Sequence, residues 1–336
     1  MQVPFGEWLP DQPEHGKKGA NVATNVYYAA NTYKRFPSLV AYSSNTTSTD
    51  SKGAGSFRDN SNTVYNFVAT RTNIYQLASG AFTSRKASLT GTATDFWTFT
   101  QFGEYVIASN GVDQPQYYLM GTSTNFANLN AIATGNPIFR VSGVVRDFLV
   151  AGNIVNATNR IQWSGINDIT EWTAGTSQSD SQDLPGSGGR VVHITSGEIG
   201  YVFRQNQIVR MDYVGGNTVF RLSVISPNRG AMYGRTVCQD NRQIFFYADD
   251  GFYQINGDQI IPIGVEKVNR YFDLNLNKAF SDRICAAVDP FNQLAMWLFP
   301  STSNATNTTG ICDKIIIYNY ATQKWSLADA SASTIF

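Results

Sequence analysis

Histidine, cysteine and glutamate are scarce in this 336-residue chain, with two, three and six residues respectively. His15 stands in a proline-rich stretch and His193 inside a Val-Val-His-Ile run, neither with a ligand-spaced partner, so the sequence offers no histidine-based catalytic constellation and no metal site. Cys238, Cys285 and Cys312 are odd in number, far apart and without a CxxC pair, which excludes a disulfide framework and a zinc signature. No stretch approaches the ~18 consecutive apolar residues of a membrane span. The opening Met-Gln-Val-Pro-Phe-Gly-Glu-Trp lacks the charged start and apolar run of a secretory signal. The expectation is a non-enzymatic chain without cofactors, folded in cytoplasm and not inserted in a membrane.

Charge is thin as well. Asp, Glu, Lys and Arg make up 15% of the residues, against roughly 25% in an ordinary soluble domain. The 25 basic and 25 acidic side chains cancel. A protein that coats nucleic acid draws its affinity from a Lys and Arg excess, so that class is excluded. The shortage of Glu and Lys also starves helices. What is abundant points elsewhere: 17 Tyr and 21 Phe, with Ser, Thr, Asn and Gly between them, suit strands and turns. The fold class expected is all-β.

A weak repeat gives the architecture. Runs of Val, Ile, Phe and Tyr, each broken by a short polar turn, recur at 62–77, 104–120, 146–163, 199–214, 243–255 and 292–318, with starts about 40 to 50 residues apart. The clearest unit divides into four short strands: Tyr233–Gln239, Gln243–Ala248, Gly251–Ile255 and Gln259–Ile263. Four strands per roughly 45 residues is the size of a β-propeller blade. A two-sheet sandwich, or a pair of β domains, also yields short strands at close spacing. The absence of one compositional break favours a propeller of about six four-stranded blades over residues 37–336. Residues 1–36, rich in proline, read as an extended N-terminal arm, and Val265, Val268 and Phe272 mark one short helix within 264–276. Two polar stretches, 177–189 and 301–310, read as long loops.

Several local patterns resemble chemistry without satisfying it. Gly186-Ser187-Gly188-Gly189 lacks the Lys-Ser/Thr and the helix that a phosphate loop requires. Asp249-Asp250 precedes Gly251 in ordinary turn chemistry, without the closing Glu of a calcium loop. Trp163 and Trp172 could frame a sugar platform, but large rings at strand ends mostly supply core. Lys17-Lys18 and Lys34-Arg35 make the N-terminal region mildly basic, open to phosphate or an acidic partner ring, although a solvated surface is the simpler reading.

Ordered blocks across nearly the whole chain carry a resemblance. They are Val3-Pro4-Phe5-Gly6-Glu7-Trp8-Leu9-Pro10-Asp11, Phe99-Thr100-Gln101-Phe102-Gly103 followed by Val106 to Asp113, Arg160-Ile161-Gln162-Trp163-Ser164-Gly165, and Asp249-Asp250-Gly251-Phe252-Tyr253 with Ile263-Gly264. Together they resemble the tail nozzle, or tail tubular, proteins of short-tailed bacteriophages, a family related to packaged-DNA stabilisation proteins. The resemblance implies a propeller subunit of a six-membered ring in the virion tail, beneath portal and adaptor, that retains the packaged genome and conducts double-stranded DNA at ejection. It also implies contacts with adaptor and tail fibres. Members of that family often run on past the point where this chain stops, which leaves the completeness of the final blade, or a C-terminal platform domain, open. Under this reading Phe5, Trp8 and Leu9 with Lys17 and Lys18 are candidate docking residues. Asp180, Asp183, Asn304 and Asn307 are candidates in loops facing the channel or a neighbouring subunit. The alternative from another class is a glycan-binding or glycosidase-type receptor-recognition propeller, which requires aromatic residues and a carboxylate pair converging in one pocket.

Overall fold

The computed structural model describes residues 6–15, 19–29, 32–303 and 309–336. The chain begins with a hairpin of β1 (Val26–Ala29) and β2 (Thr32–Arg35). Six four-stranded antiparallel sheets follow, each a simple meander. The first comprises β3 (Gly53–Arg58), β4 (Val64–Ala69), β5 (Ile74–Ala78) and β6 (Ala81–Lys86). The second has β7 (Thr98–Phe102), β8 (Tyr105–Ser109), β9 (Gln116–Leu119) and β10 (Ala127–Asn128). The third has β11 (Phe139–Val145), β12 (Phe148–Ile154), β13 (Ala157–Trp163) and β14 (Asp180–Asp183). The fourth has β15 (Val191–Ile194), β16 (Ile199–Arg204), β17 (Ile208–Gly215) and β18 (Val219–Ser226). The fifth has β19 (Cys238–Asp240), β20 (Gln243–Ala248), β21 (Gly251–Asn256) and β22 (Gln259–Pro262). After the short helix α1 (Asn269–Asn275) comes the sixth, β23 (Cys285–Asp289), β24 (Leu294–Phe299), β25 (Cys312–Asn319) and β26 (Lys324–Ala332). These are the blades of an all-β propeller.

The six apolar hairpins of the sequence form the second and third strands of the blades. Those strands are flanked by sheet on both sides, the second strands buried along most of their length and the third in part, so they carry the apolar runs, such as Phe148–Ala151 and Ile315–Tyr318. Several first and fourth strands, such as β10, β14, β19 and β22, are short or polar, which is why the repeat is faint. One boundary moved: the first strand of the fifth blade starts at Cys238, not at Tyr233. Gly234–Thr236 make a 3-10 turn, which delivers the Thr236 carbonyl to Trp297 Nε1 at 2.9 Å.

The chain divides into two compact units, residues 41–234 and residues 1–40 with 235–336. In the four-blade unit the first strands of successive blades, β3, β7, β11 and β15, lie against one another. At Gly143 on β11 an added Cβ would sit 2.6 Å from the Ile194 carbonyl oxygen on β15, so only glycine permits this approach. Between β7 and β11 the contact is polar, with Thr100 Oγ1 2.9 Å from Ser142 Oγ. Aromatic packing fills the space between the first two blades, with Phe67 edge-on to Tyr118 at 5.0 Å and to Phe126 at 4.9 Å.

The two-blade unit is built around Phe252, Phe272, Trp297, Phe299 and Trp325. The N-terminal residues belong to it. Residues 23–25 run parallel to β26, with Leu327 N–H donating to the Ala23 carbonyl at 2.9 Å and Asn25 N–H to the Leu327 carbonyl at 2.8 Å. The described part of the 1–36 arm carries a hairpin and packs into the C-terminal unit, where it lies along the edge of β26 and against the start of α1. The last blade has its four strands.

Candidate functional site

The N-terminal docking candidates separate. Trp8 is buried, lies edge-on to Tyr271 at a centroid distance of 5.0 Å, and belongs to the core of the two-blade unit. Leu9 is partly buried beside it. On either side, Glu7 pairs with Lys267 at 2.8 Å, and the Asp11 carboxylate accepts the backbone N–H groups of Arg270 and Tyr271 at 2.8 and 2.7 Å. Trp8 is thus an internal anchor, and a residue spent on its own core is not a free docking group. Phe5, Lys17 and Lys18, together with Asn304 and Asn307 of the 301–310 stretch, lie outside the described residues.

Asp180 and Asp183 stand on β14, the outer strand of the third blade, which corrects the reading of 177–189 as a loop throughout. Asp183 binds Arg160 through two contacts, 2.7 Å to Nε and 3.0 Å to Nη2. That partner lowers the Asp183 carboxyl and raises the Arg160 guanidinium. The flanks of the strand are fastened too. Trp163 Nε1 donates to the Gln178 carbonyl at 2.8 Å. Arg204, buried without a carboxylate partner, donates to the carbonyls of Gly189 (2.8 Å), Pro185 (2.7 Å) and Gly186 (3.2 Å) and to Gln207 Oε1 (2.6 Å). Burial lowers the Arg204 guanidinium from its ordinary value. The glycine-rich turn therefore presents its carbonyls inward to a cation of its own chain, the opposite polarity to a phosphate cradle.

The blocks that carry the resemblance hold the blades together. Asn110 Oδ1 accepts the N–H groups of Val112 and Asp113, each at 2.9 Å, and Asp113 accepts Thr90 N–H at 3.0 Å and Thr90 Oγ1–H at 2.7 Å. Gln101 binds the backbone of Arg58 through both ends of its amide. Asn269 accepts Phe252 N–H at 3.2 Å and donates to the Asp250 carbonyl at 3.3 Å. At Gly251, with φ of +140°, an added Cβ would sit 2.0 Å from Asn269 Nδ2. In these positions side-chain amides and carboxylates replace backbone partners where the chain passes from strand to strand.

First strands supply a balanced set of charges, Arg58 and Arg140 against Asp240 and Asp289. Arg140 bonds Asp95 at 2.7 Å. Burial would raise the Asp95 carboxyl, but hydrogen bonds from Thr92 and Arg140 outweigh it and hold the group below its ordinary value. Burial pushes His193 on β15 down to about 4, against a backbone hydrogen bond with Gly234 that favours the charged form. Trp163 and Trp172 are both buried, which removes them as a sugar platform. Among the described residues no group of three or more His, Cys, Asp or Glu side chains could hold a metal ion.

One feature escaped the sequence reading. Residues 37–50, assigned to the propeller, contain no strand, and Leu39, Val40 and Tyr42 are exposed at 67%, 85% and 73%. The signal was present in Pro37 followed by a short apolar run that ends in a Ser/Thr/Asn-rich stretch.

No protein-family model matches the chain, and no curated protein sequence matches it. Solved structures are similar in fold. The extracellular domain of the putative hybrid two component system BT4673 from B. thetaiotaomicron has a TM-score of 0.53 at 11% identity, over 86% of this chain and 35% of that one. A chain of the mitotic checkpoint complex has a TM-score of 0.49 at 10% identity, over 90% and 87%. BamB from Moraxella catarrhalis has 0.45 at 12% identity, over 82% and 76%. At such identities the likeness concerns the fold alone.

Proposed function

We propose that the chain is a structural virion protein, the subunit of a six-copy ring in the tail of a short-tailed bacteriophage, held beneath portal and adaptor. The ring retains the packaged genome and lets double-stranded DNA pass at ejection without sequence-specific binding, and its outer surfaces meet the adaptor and tail fibres. The observation that carries this reading is the placing of the resemblance blocks. Glu7 to Asp11, Gln101, Asn110 to Asp113 and Asp250 to Phe252 are the residues that lock strand turns and blade contacts in this propeller. Their joint resemblance to the nozzle family therefore concerns the fold-setting positions along the chain.

Charge supports the same reading. A wall past which DNA moves must not accumulate phosphate contacts, since each adds a salt-dependent bond. The chain as a whole is neutral, and its first strands carry as many Asp as Arg residues. Electron microscopy of virions with an antibody against this chain should place the label on a six-fold ring at the tail. Label on the capsid shell, or on a component without rotational symmetry, overturns the reading.

A further inference from the structure

The outer strands of the blades are not equally protected. Residues 23–25 cover β26. Asn45 bonds both the N–H (2.9 Å) and the carbonyl (3.3 Å) of Phe82 on β6, and Phe126 N–H donates to the Arg85 carbonyl of the same strand at 2.9 Å. Three others are short: β10 has two residues, β14 has four with an Asp at each end, and β22 has four and ends in Pro262. The exception is β18, eight residues without proline, whose outer edge receives no backbone hydrogen bond from any described residue outside its own sheet. Its Val224 is exposed at 48%. In a strand, alternate N–H and C=O groups point away from the paired neighbour, so a long bare edge is a template for one more strand.

The same chain carries an exposed segment whose backbone has no partner among the described residues. From Pro37 to Tyr42 the chain has no regular secondary structure and makes no backbone hydrogen bond among the described residues, while Phe36 N–H before it donates to the Asn25 carbonyl at 2.9 Å and Ser44 N–H after it to the Gly80 carbonyl at 3.1 Å. Proline stands at the first position, one of the places where a strand tolerates it.

We infer that residues 37–42 of one copy add as a strand to the outer edge of β18 in a second copy of this chain. Main-chain hydrogen bonds supply the affinity, and Val40 and Tyr42 supply apolar contact beside Val224. The two surfaces differ, so the contact is heterologous and passes from copy to copy head to tail, as a closed ring requires. The inference rests on the proposed ring for closure and names the surface that would build it.

The test uses the purified full chain in sedimentation and light scattering, with Val40→Asp and Val224→Asp as variants, both at exposed positions and both checked for a wild-type melting profile. Wild type should form concentration-dependent oligomers, and each variant alone should self-associate at least tenfold more weakly. An equimolar mixture of the two variants retains one intact segment and one intact edge, so it should form a dimer and nothing larger. If wild type remains monomeric at its highest soluble concentration, if either variant assembles like wild type, or if the mixture forms no dimer, the inference is overturned. Six-fold tail rings carrying the antibody label but made of variants that assemble normally would leave the ring reading standing and remove this contact. Assembly through these surfaces by a chain absent from tails would do the reverse.

Discussion

The two units of the chain are stabilised by different kinds of contact. The four-blade unit is one continuous stretch, and each blade meets the next through first strands and aromatic clusters close in sequence. The two-blade unit joins the first 40 residues to the last hundred, and its core needs Trp8 from one end and Trp325 from near the other. Contacts of long sequence separation form only after loop-closure entropy has been lost, so the two-blade unit should be slower to form and more sensitive to single changes. A propeller of repeated blades can thus contain a locally built part and a part that waits for both chain ends.

The largest expected effect comes from Trp8→Ala. Removing a buried tryptophan costs about 3–5 kcal/mol, and hydrogen exchange should report the loss across 238–332 while 53–226 keeps its protection. Equal loss in both units would break the comparison. Next is Arg204→Ala, which leaves the carbonyls of Pro185, Gly186 and Gly189 without their donor. A loss of about 2–3 kcal/mol follows, with exchange rising at 185–190 in the four-blade unit alone.

The third effect depends on pH. His193 is held neutral in the folded state down to about 4, whereas unfolded histidine titrates near 6.5. Between those values the unfolded chain binds more protons, so stability falls as pH drops through 6.5 and levels off near 4, a change of about 1–3 kcal/mol. Denaturant unfolding of His193→Gln across that range should show the slope removed; an unchanged slope would place the titrating group elsewhere. Asp11→Ala, which takes away the acceptor for two N–H groups at the start of α1, should cost the two-blade unit about 1 kcal/mol. Smallest of all, Asp183→Asn should leave the melting temperature within error, because the Arg160 pair is solvated.

The blade repeat was legible because second strands are buried along most of their length and, with the partly buried third strands, spell out apolar runs. The fifth blade was read almost strand for strand, and the helix was marked by Val268 and Phe272, both fully buried in the structure. Other features were opaque for a common reason. Asp180 and Asp183 read as loop residues because an outer strand has only one neighbour and needs no apolar pattern. Trp8 read as a docking group because nothing in a stretch of prolines says what lies across from it 260 residues away.

Composition alone therefore determined the class: few helix formers with many aromatics and turn residues lead to strands. Spacing alone determined the number of blades, since each one needs a buried hairpin. Which edges are covered, which tryptophan closes the C-terminal unit, and which segment is left without a partner were decided only by tertiary structure. Those properties belong to pairs of distant residues, and neither member carries in its own neighbourhood the information about the other.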